Sequence, residues 1–399
     1  MIYEGDCRLG NLFSNRREKG RAGLPTLSVT LNDGLVNRED LERKQDSALS
    51  PEEHLLVKPG DIAYNMMRMW QGAFGLAECE GLVSPAYVVL QPKKVVDPLY
   101  ASYCFKSMRV RYLFWAYSYG LTDDRLRLYF HDFSKIPIQV PRRETQREIA
   151  DLLTVWQKSI DKVEELIRCA KLQKRALVQG LLPKLHSPQK KSSEWNLVRL
   201  GDVATINPKK SERPKDGRVS FLPMESVSEN GYVVKSIERR YEDVSTGYSG
   251  FSNGDIHVAK ITPCFENGKG ALLDGLINGI GFGSTEFHVL RPSSDICPKL
   301  LKHIVGSREF RKRGESEMEG SAGQKRISAN FIQSFRFMCP KSLDGQREVS
   351  LLLDLADQEI RMFESYVTNL RAEMAGLLER LCCATKDVSL STTAAKVTS

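Results

Sequence analysis

Gln146-Arg147-Glu148-Ile149-Ala150-Asp151-Leu152-Leu153 and Gln346-Arg347-Glu348-Val349-Ser350-Leu351-Leu352-Leu353 are two versions of one phrase, set 200 residues apart. Each opens an apolar seam that returns every seven residues. In the first, Ile149, Trp156, Val163, Ala170 and Leu177 hold one position, and Leu153, Ile160, Ile167 and Leu181 hold the position four residues on. In the second, Val349, Ala356, Phe363, Leu370 and Leu377 are joined by Leu353, Ile360, Val367, Met374 and Leu381. A period of seven sustained over five repeats predicts a long helix that packs on another helix. One such helix alone would leave its seam in water, and the identical register makes each the natural partner of the other. At 1.5 Å per residue, the stretch from Gln146 to Leu181 predicts a rod of about 54 Å. Lys174 interrupts the first seam where Met374 continues the second.

Working outward, the duplication extends to the rest of the chain. Arg8-Leu9-Gly10 returns as Arg199-Leu200-Gly201, Pro59-Gly60-Asp61-Ile62 as Asn253-Gly254-Asp255-Ile256, and Val89-Leu90-Gln91-Pro92 as Val289-Leu290-Arg291-Pro292. Gly120 with Arg125 and Arg127 returns as Gly320 with Lys325 and Arg326, and Val140-Pro141 as Cys339-Pro340. The order is preserved throughout, which is the mark of a repeat. The segments before the helices carry short apolar runs, such as Ala86 to Leu90 and Glu286 to Leu290, punctuated by Gly, Pro and Asn. They read as strand-rich domains, with strands at the Gly-Asp-Ile triplets 60–62 and 254–256. The expected fold class is α+β: two tandem repeats, each a strand-rich domain followed by a long helix, with the two helices paired as an antiparallel coiled coil. The expected boundaries are a first domain at 1–145, a helix at 146–182, a linker at 183–196, a second domain at 197–345, a helix at 346–383 and a flexible tail at 384–399.

Composition narrows the function. At 399 residues the chain exceeds one ordinary domain, and its 27% charged and 41% hydrophobic residues belong to a folded protein. It lacks a long uninterrupted apolar run, and the N-terminus MIYEGDCRLG has no basic and apolar targeting segment, so no membrane association and a cytoplasmic location are expected. The nine cysteines form no CxxC pair, which predicts reduced thiols and no metal site. A net charge of +8 is compatible with nucleic-acid binding without requiring it.

Searches for chemistry return little. There is no P-loop, nucleophile elbow or HExxH pattern, and Gly279-Ile280-Gly281-Phe282-Gly283 precedes a strand where a dinucleotide site needs a helix, so it reads as a turn. The six histidines lie in unrelated contexts, and no catalytic residue can be named. Two polar, basic loops per repeat remain. The first repeat offers Asn65, Arg68, Trp70 and Gln71, then Arg125 and Arg127; the second offers Lys260, Thr262, Asn267 and Lys269, then Gln324, Lys325 and Arg326. Arg and Lys can bond guanine O6 and N7, Asn and Gln can bond adenine N6 and N7, and glycine lets backbone approach phosphate. These thirteen residues are the candidate DNA-binding set.

The layout of variable domain, Gln-Arg-Glu helix, variable domain, Gln-Arg-Glu helix resembles the specificity subunit of type I restriction-modification systems. The likeness covers residues 8 to 383 and is most specific at 146–153, 346–353 and the Gly-Asp-Ile triplets. The resemblance implies target recognition domains that read an asymmetric, bipartite site in double-stranded DNA. It implies helices that dock modification (methyltransferase) subunits, and motor-nuclease restriction subunits joined through the complex. No cofactor is expected on this chain; the resemblance implies S-adenosylmethionine on the modification subunits, and ATP and magnesium on the restriction subunits. A subunit of a related system with methylation and cleavage fused in one partner, or a coiled-coil scaffold that binds proteins, are the alternatives.

Overall fold

The computed structural model describes residues 7–41, 49–122, 125–182, 194–321 and 323–383; the expected tail at 384–399 and most of the expected linker lie outside the described residues. The chain divides into two compact units, one drawn from Met1–Glu165 with Glu364–Ser399 and the other from Leu166–Phe363. Each unit therefore contains one strand-rich domain and part of both long helices.

The first domain is built on an antiparallel sheet with the spatial order Phe13–Arg16, Tyr87–Pro92, Ile62–Asn65, Phe74–Leu76. Its inner strands carry consecutive buried residues because both faces are covered. On one side Tyr64 and Phe13 meet Phe105, Phe114 and Phe133, with ring centroids 5.2 to 6.2 Å apart. On the other, Ala63 and Val89 pack on Leu27, Val57 and Val83. The second domain repeats this sheet as Ala204–Ile206, Phe287–Pro292, Ile256–Ala259, Gly270–Leu272. Ile256, Val258 and Leu290 face Leu300, Phe310 and Phe331, while Ala259, Phe287 and Val289 face Leu222 and Phe251.

Three expectations are corrected in detail. The Gly-Asp of each triplet is the turn before the strand, with Gly60 at φ +89° and Gly254 at φ +85°, where a side chain would be strained. Gly281 and Gly283 are not a turn but part of the strand Ile280–Gly283; the turn is Asn278-Gly279, both at positive φ. Glycine is required in that strand because a Cβ on Gly281 would lie 2.0 Å from the Phe251 ring. The linker also stops short of 196, since Trp195 and Asn196 begin a strand, Trp195–Arg199, that pairs with Arg336–Pro340.

Each triplet aspartate holds its sheet from beneath. Asp61, 2% exposed, accepts from Lys58 N at 2.9 Å and from Arg16 Nε and Nη2 at 2.7 and 3.2 Å. Asp255, 1% exposed, accepts from Ser252 N at 2.8 Å and from Arg291 Nε and Nη2 at 2.8 and 2.7 Å. The role is the same, yet the guanidinium comes from the edge strand in one domain and from the neighbouring inner strand in the other.

The long helices are Arg143–Leu181 and Leu343–Cys383. The glutamine of each Gln-Arg-Glu is a clamp between helix and domain. Gln146, fully buried, accepts from Asp97 N at 2.7 Å and donates to Val95 O and Pro141 O at 3.2 and 2.9 Å. Gln346, 2% exposed, accepts from Cys297 N at 2.7 Å and donates to Asp295 O and Pro340 O at 3.2 and 3.1 Å. Of the seam residues, Ile149, Leu153, Ile160, Val163, Leu353, Ile360 and Val367 are buried, and Trp156, Ile167, Val349, Ala356 and Phe363 are partly so. Towards the end of the second helix the buried positions become Met374, Leu378 and Cys382. A spacing of four there follows the helix's own 3.6-residue turn in place of the seven-residue period.

Lys174, the break in the first seam, forms an ion pair with Asp357. Asp357 also lies 3.4 Å from Lys302 Nζ, and Asp354 lies 3.4 Å from the same atom and 2.9 Å from His303 Nε2. Burial pushes the Asp354 carboxyl up, but His303 and Lys302 outweigh it and hold it below the usual carboxylate range. His303, Asp354 and Asp357 are close enough to suggest a metal triad. With Lys174, Lys302 and Lys299 already on the two carboxylates, their negative charge is more than met and the group is an ion-pair network.

Candidate nucleic-acid interface

The two loops singled out in each repeat are distant in sequence and hydrogen-bonded in space. In the first domain, Tyr119 and Arg127 exchange backbone bonds at 3.0 and 2.9 Å, closing a hairpin, and Leu128 N donates to Met66 O at 2.9 Å. The hairpin is thus zipped onto the loop that leaves the strand Ile62–Asn65. The helix Met108–Ala116 backs this junction, with Arg111 Nη2 donating to Gln71 O at 2.9 Å. The second domain repeats the junction. Glu319 and Arg326 exchange bonds at 3.0 and 2.8 Å, Ile327 N donates to Lys260 O at 2.9 Å, and Arg311 Nη1 donates to Glu266 O at 3.5 Å.

The candidate residues divide by what holds them. Asn65 is turned back on its own loop, accepting from Met67 N at 3.0 Å, and Trp70 Nε1 donates to Met67 O at 3.2 Å. Thr262 spends its hydroxyl on Gly323 O at 3.2 Å, Asn267 donates to Glu229 at 2.8 Å, and Lys269 donates to Met224 O at 3.3 Å. Lys260 Nζ donates to Thr285 O at 2.7 Å, and burial lowers its pKa. Arg326 grips Glu286 with Nε and Nη2 at 3.0 and 2.9 Å, and this bond holds the Glu286 carboxyl below its ordinary value. These residues shape the loops.

The others are poised outward. Arg68, Arg125, Arg127, Gln324 and Lys325 are exposed, and among the described residues no carboxylate pairs with Arg68, Arg125, Arg127 or Lys325. Arg127 has a 3.4 Å bond to the Tyr129 hydroxyl, and Gln71 is half-buried beside Arg111. Cationic and amide donors on paired loops, held at the end of a rigid sheet, suit contacts with phosphates and base edges. Sequence reasoning passed over Met67, Tyr119, Leu121 and Tyr129, which are exposed on the same junction. The alternation of Tyr119 and Leu121 about Gly120 was the available signal, but exposed apolar tips cannot be told from core strands by pattern alone.

No protein-family model matches the chain. It is 40% identical over 202 residues to the type I restriction enzyme EcoAI specificity subunit of Escherichia coli, covering 49% of this chain and 34% of that protein. It is 38% identical over 169 residues to the Escherichia coli EcoEI specificity subunit, covering 41% of this chain and 28% of that protein. The match thus spans about a third of the length of these curated relatives. A chain from a solved structure, described as the structural basis of complex assembly and conformational transition of the type I R-M system, has a similar fold. There the TM-score is 0.59 at 14% identity, over 96% of this chain and 98% of that one. The resemblance read from the Gln-Arg-Glu helices therefore stands: the chain is similar in sequence to type I specificity subunits and has the fold of a type I system component.

Proposed function

We propose that this chain is the DNA sequence-specificity subunit of a type I restriction-modification complex and carries out no catalysis itself. The observation that carries the reading is the duplicated junction: one hairpin zipped onto one strand-end loop, in each of two domains with the same order in the central sheet. Each junction would read one half-site in the major groove, and because the loop residues differ the two half-sites would differ. Residues 1–145 and 195–345 serve as the recognition domains in this reading.

The helices at 146–182 and 346–383 would pair as an antiparallel coiled coil. Within one unit Glu164 pairs with Arg371, and within the other Lys174 pairs with Asp357. Rising numbers on one helix meet falling numbers on the other, which supports opposite directions. The coil would dock the modification subunits, which hold S-adenosylmethionine as methyl donor, and through them the restriction subunits with ATP and magnesium. What this chain contributes is the address: phosphate contacts from Arg68, Arg125, Arg127 and Lys325, and base contacts from the adjoining loop residues.

A map of adenine methylation in the source strain, with and without this gene, tests the proposal. Loss of methylation at one asymmetric, interrupted motif is the expected result. An unchanged map from a strain in which the chain co-purifies with an active methyltransferase would overturn it.

A further inference from the structure

Between two repeats whose loops have drifted apart, one side chain stays in place. Arg111 and Arg311 stand 200 residues apart, each near the start of a helix, Met108–Ala116 and Arg308–Ser316. Each helix begins on a serine: Ser107 Oγ accepts from Val110 N at 3.3 Å, and Ser307 Oγ accepts from Phe310 N at 3.2 Å. Val110 and Phe310 are buried, so cap and core anchor together hold the arginine's place.

Both arginines reach the loop that leaves the inner strand, Ile62–Asn65 in one domain and Ile256–Ala259 in the other. That loop is closed by Asn65 N donating to Ala73 O at 3.1 Å, and by Ala259 N donating to Lys269 O at 3.0 Å. The residue before the closing carbonyl is glycine in each, Gly72 at φ +97° and Gly268 at φ +77°, and little else in the two loops matches. Arg111 Nη2 donates to Gln71 O at 2.9 Å, and a Cβ on Gly72 would stand 3.6 Å from Arg111 Nε. Arg311 Nη1 lies 3.5 Å from Glu266 O, and a Cβ on Gly268 would meet that nitrogen at 2.6 Å. In both domains the guanidinium therefore lies against the left-handed glycine of the loop. The apolar support has changed around it. Phe114 and the loop residue Met69 are buried in the first domain, whereas in the second Gly314 replaces the phenylalanine, and a Cβ there would lie 2.2 Å from the ring of the loop residue Phe265. Arg311 is present although its placement is unfavourable: burial lowers its pKa, and its Nε is buried with no hydrogen-bond partner among the described residues.

We infer, resting on the reading of this chain as a specificity subunit, that Arg111 and Arg311 are positioning residues for DNA recognition, each locking its strand-end loop from the neighbouring helix so that the loop meets its half-site already in its reading shape. A loop ordered in advance does not lose that conformational entropy on the DNA, so the correct bases are bound with less opposing cost. The two arginines act through the loops and set discrimination, leaving the phosphate contacts to other residues.

The test uses the full chain with its co-purifying subunits and duplexes carrying the motif found by methylation mapping, intact or altered in one half-site, over a range of salt. Arg111→Ala should lose about tenfold in discrimination at one half-site and Arg311→Ala at the other, with binding to scrambled DNA and the salt slope unchanged. Arg111→Lys and Arg311→Lys, which keep a donor, should lose less. In the protein without DNA, the loop amide of Ala73 in Arg111→Ala and that of Lys269 in Arg311→Ala should exchange about tenfold faster, while amides of the strands Ile62–Asn65 and Ile256–Ala259 keep their rates. Weaker binding to every duplex with a shallower salt slope would make the arginines phosphate contacts and overturn the inference. Discrimination lost equally at both half-sites, lysine variants no better than alanine, or exchange that quickens throughout the domain would mark a merely structural role and also overturn it. Unchanged loop exchange overturns it whatever the DNA result, and leaves the specificity-subunit reading intact. If mapping yields no motif, or the wild type does not prefer the motif to a scrambled duplex, the specificity-subunit reading fails and this inference fails with it.

Discussion

The first and second domains have the same strand order in their central sheet, the same buried aspartate beneath it and the same buried glutamine at the helix junction, yet they fill the space around these points with different chemistry. Asp61 takes its guanidinium from Arg16 and Asp255 takes its own from Arg291, so a need for charge compensation persisted while the residue meeting it moved to another strand. Where the first domain has Ala63 and Val88 in its inner strands, the second has His257 and His288. The comparison teaches that the backbone tolerates wide variation as long as the clamps are kept, which suits a scaffold whose loops are free to change.

The difference in the inner strands has the largest consequence, and it appears on acidification. His257 is wedged between Phe251 and Phe287, with ring centroids at 4.4 and 4.6 Å, and burial drives its pKa down to about 3. His288, bonded to Ile327 O at 3.0 Å, is lowered by burial to about 4. Both are neutral when folded and take up a proton more readily when unfolded, near pH 6.5, so stability present above that pH is lost as the pH falls towards the folded values. By pH 5 the two together should remove as much as about 4 kcal/mol from the second domain. Hydrogen exchange followed domain by domain from pH 7 to pH 5 should show protection falling in the second domain first; an equal fall in both would break the contrast.

What the domains share should respond equally. Gln146→Leu strands Asp97 N and two carbonyls, and Gln346→Leu strands Cys297 N and two carbonyls. Each should cost about 3 kcal/mol in urea denaturation, within about 1 kcal/mol of the other. A loss in only one would mean that the junctions are not equivalent. The smallest effect tests the place where the helices depart from symmetry. Lys174→Met leaves Asp357 with Lys302 and should cost about 1 to 2 kcal/mol, whereas Lys174→Met combined with Asp357→Gln should recover most of it. If the double variant is no better than the single one, the ion pair is not what fixes that crossing.

Sequence reading went furthest where one physical constraint dominates. The seven-residue seam located both long helices, because burying a helix stripe leaves few alternatives, and its failure past Met374 reflects only relaxation to the natural helix period. The repeated Gly-Asp-Ile was visible, but its chemistry was not, because the partners Arg16 and Arg291 lie on different strands and only the fold brings them to the aspartates. Gly281 was mistaken for a turn since nothing in the sequence announces the Phe251 ring across the sheet. At the candidate site, charge and glycine content picked out two loops per domain, and the fold bonds them in pairs. Which residues face outward was not legible: Lys260 and Arg326 read as donors until the fold placed Thr285 and Glu286 against them. Lys174 read as a flaw in the seam for the same reason.

The central claim is that two domains with one backbone read two different half-sites. Methylation maps from strains carrying Gln71→Ala or Gln324→Ala test it most directly, since the two amides lie on the paired loops of the two domains. Gln71→Ala should relax the motif at positions in one half and Gln324→Ala at positions in the other, with the gap between the halves unchanged. Relaxation of the same half by both variants, or a uniform loss of methylation across the whole motif, would contradict it.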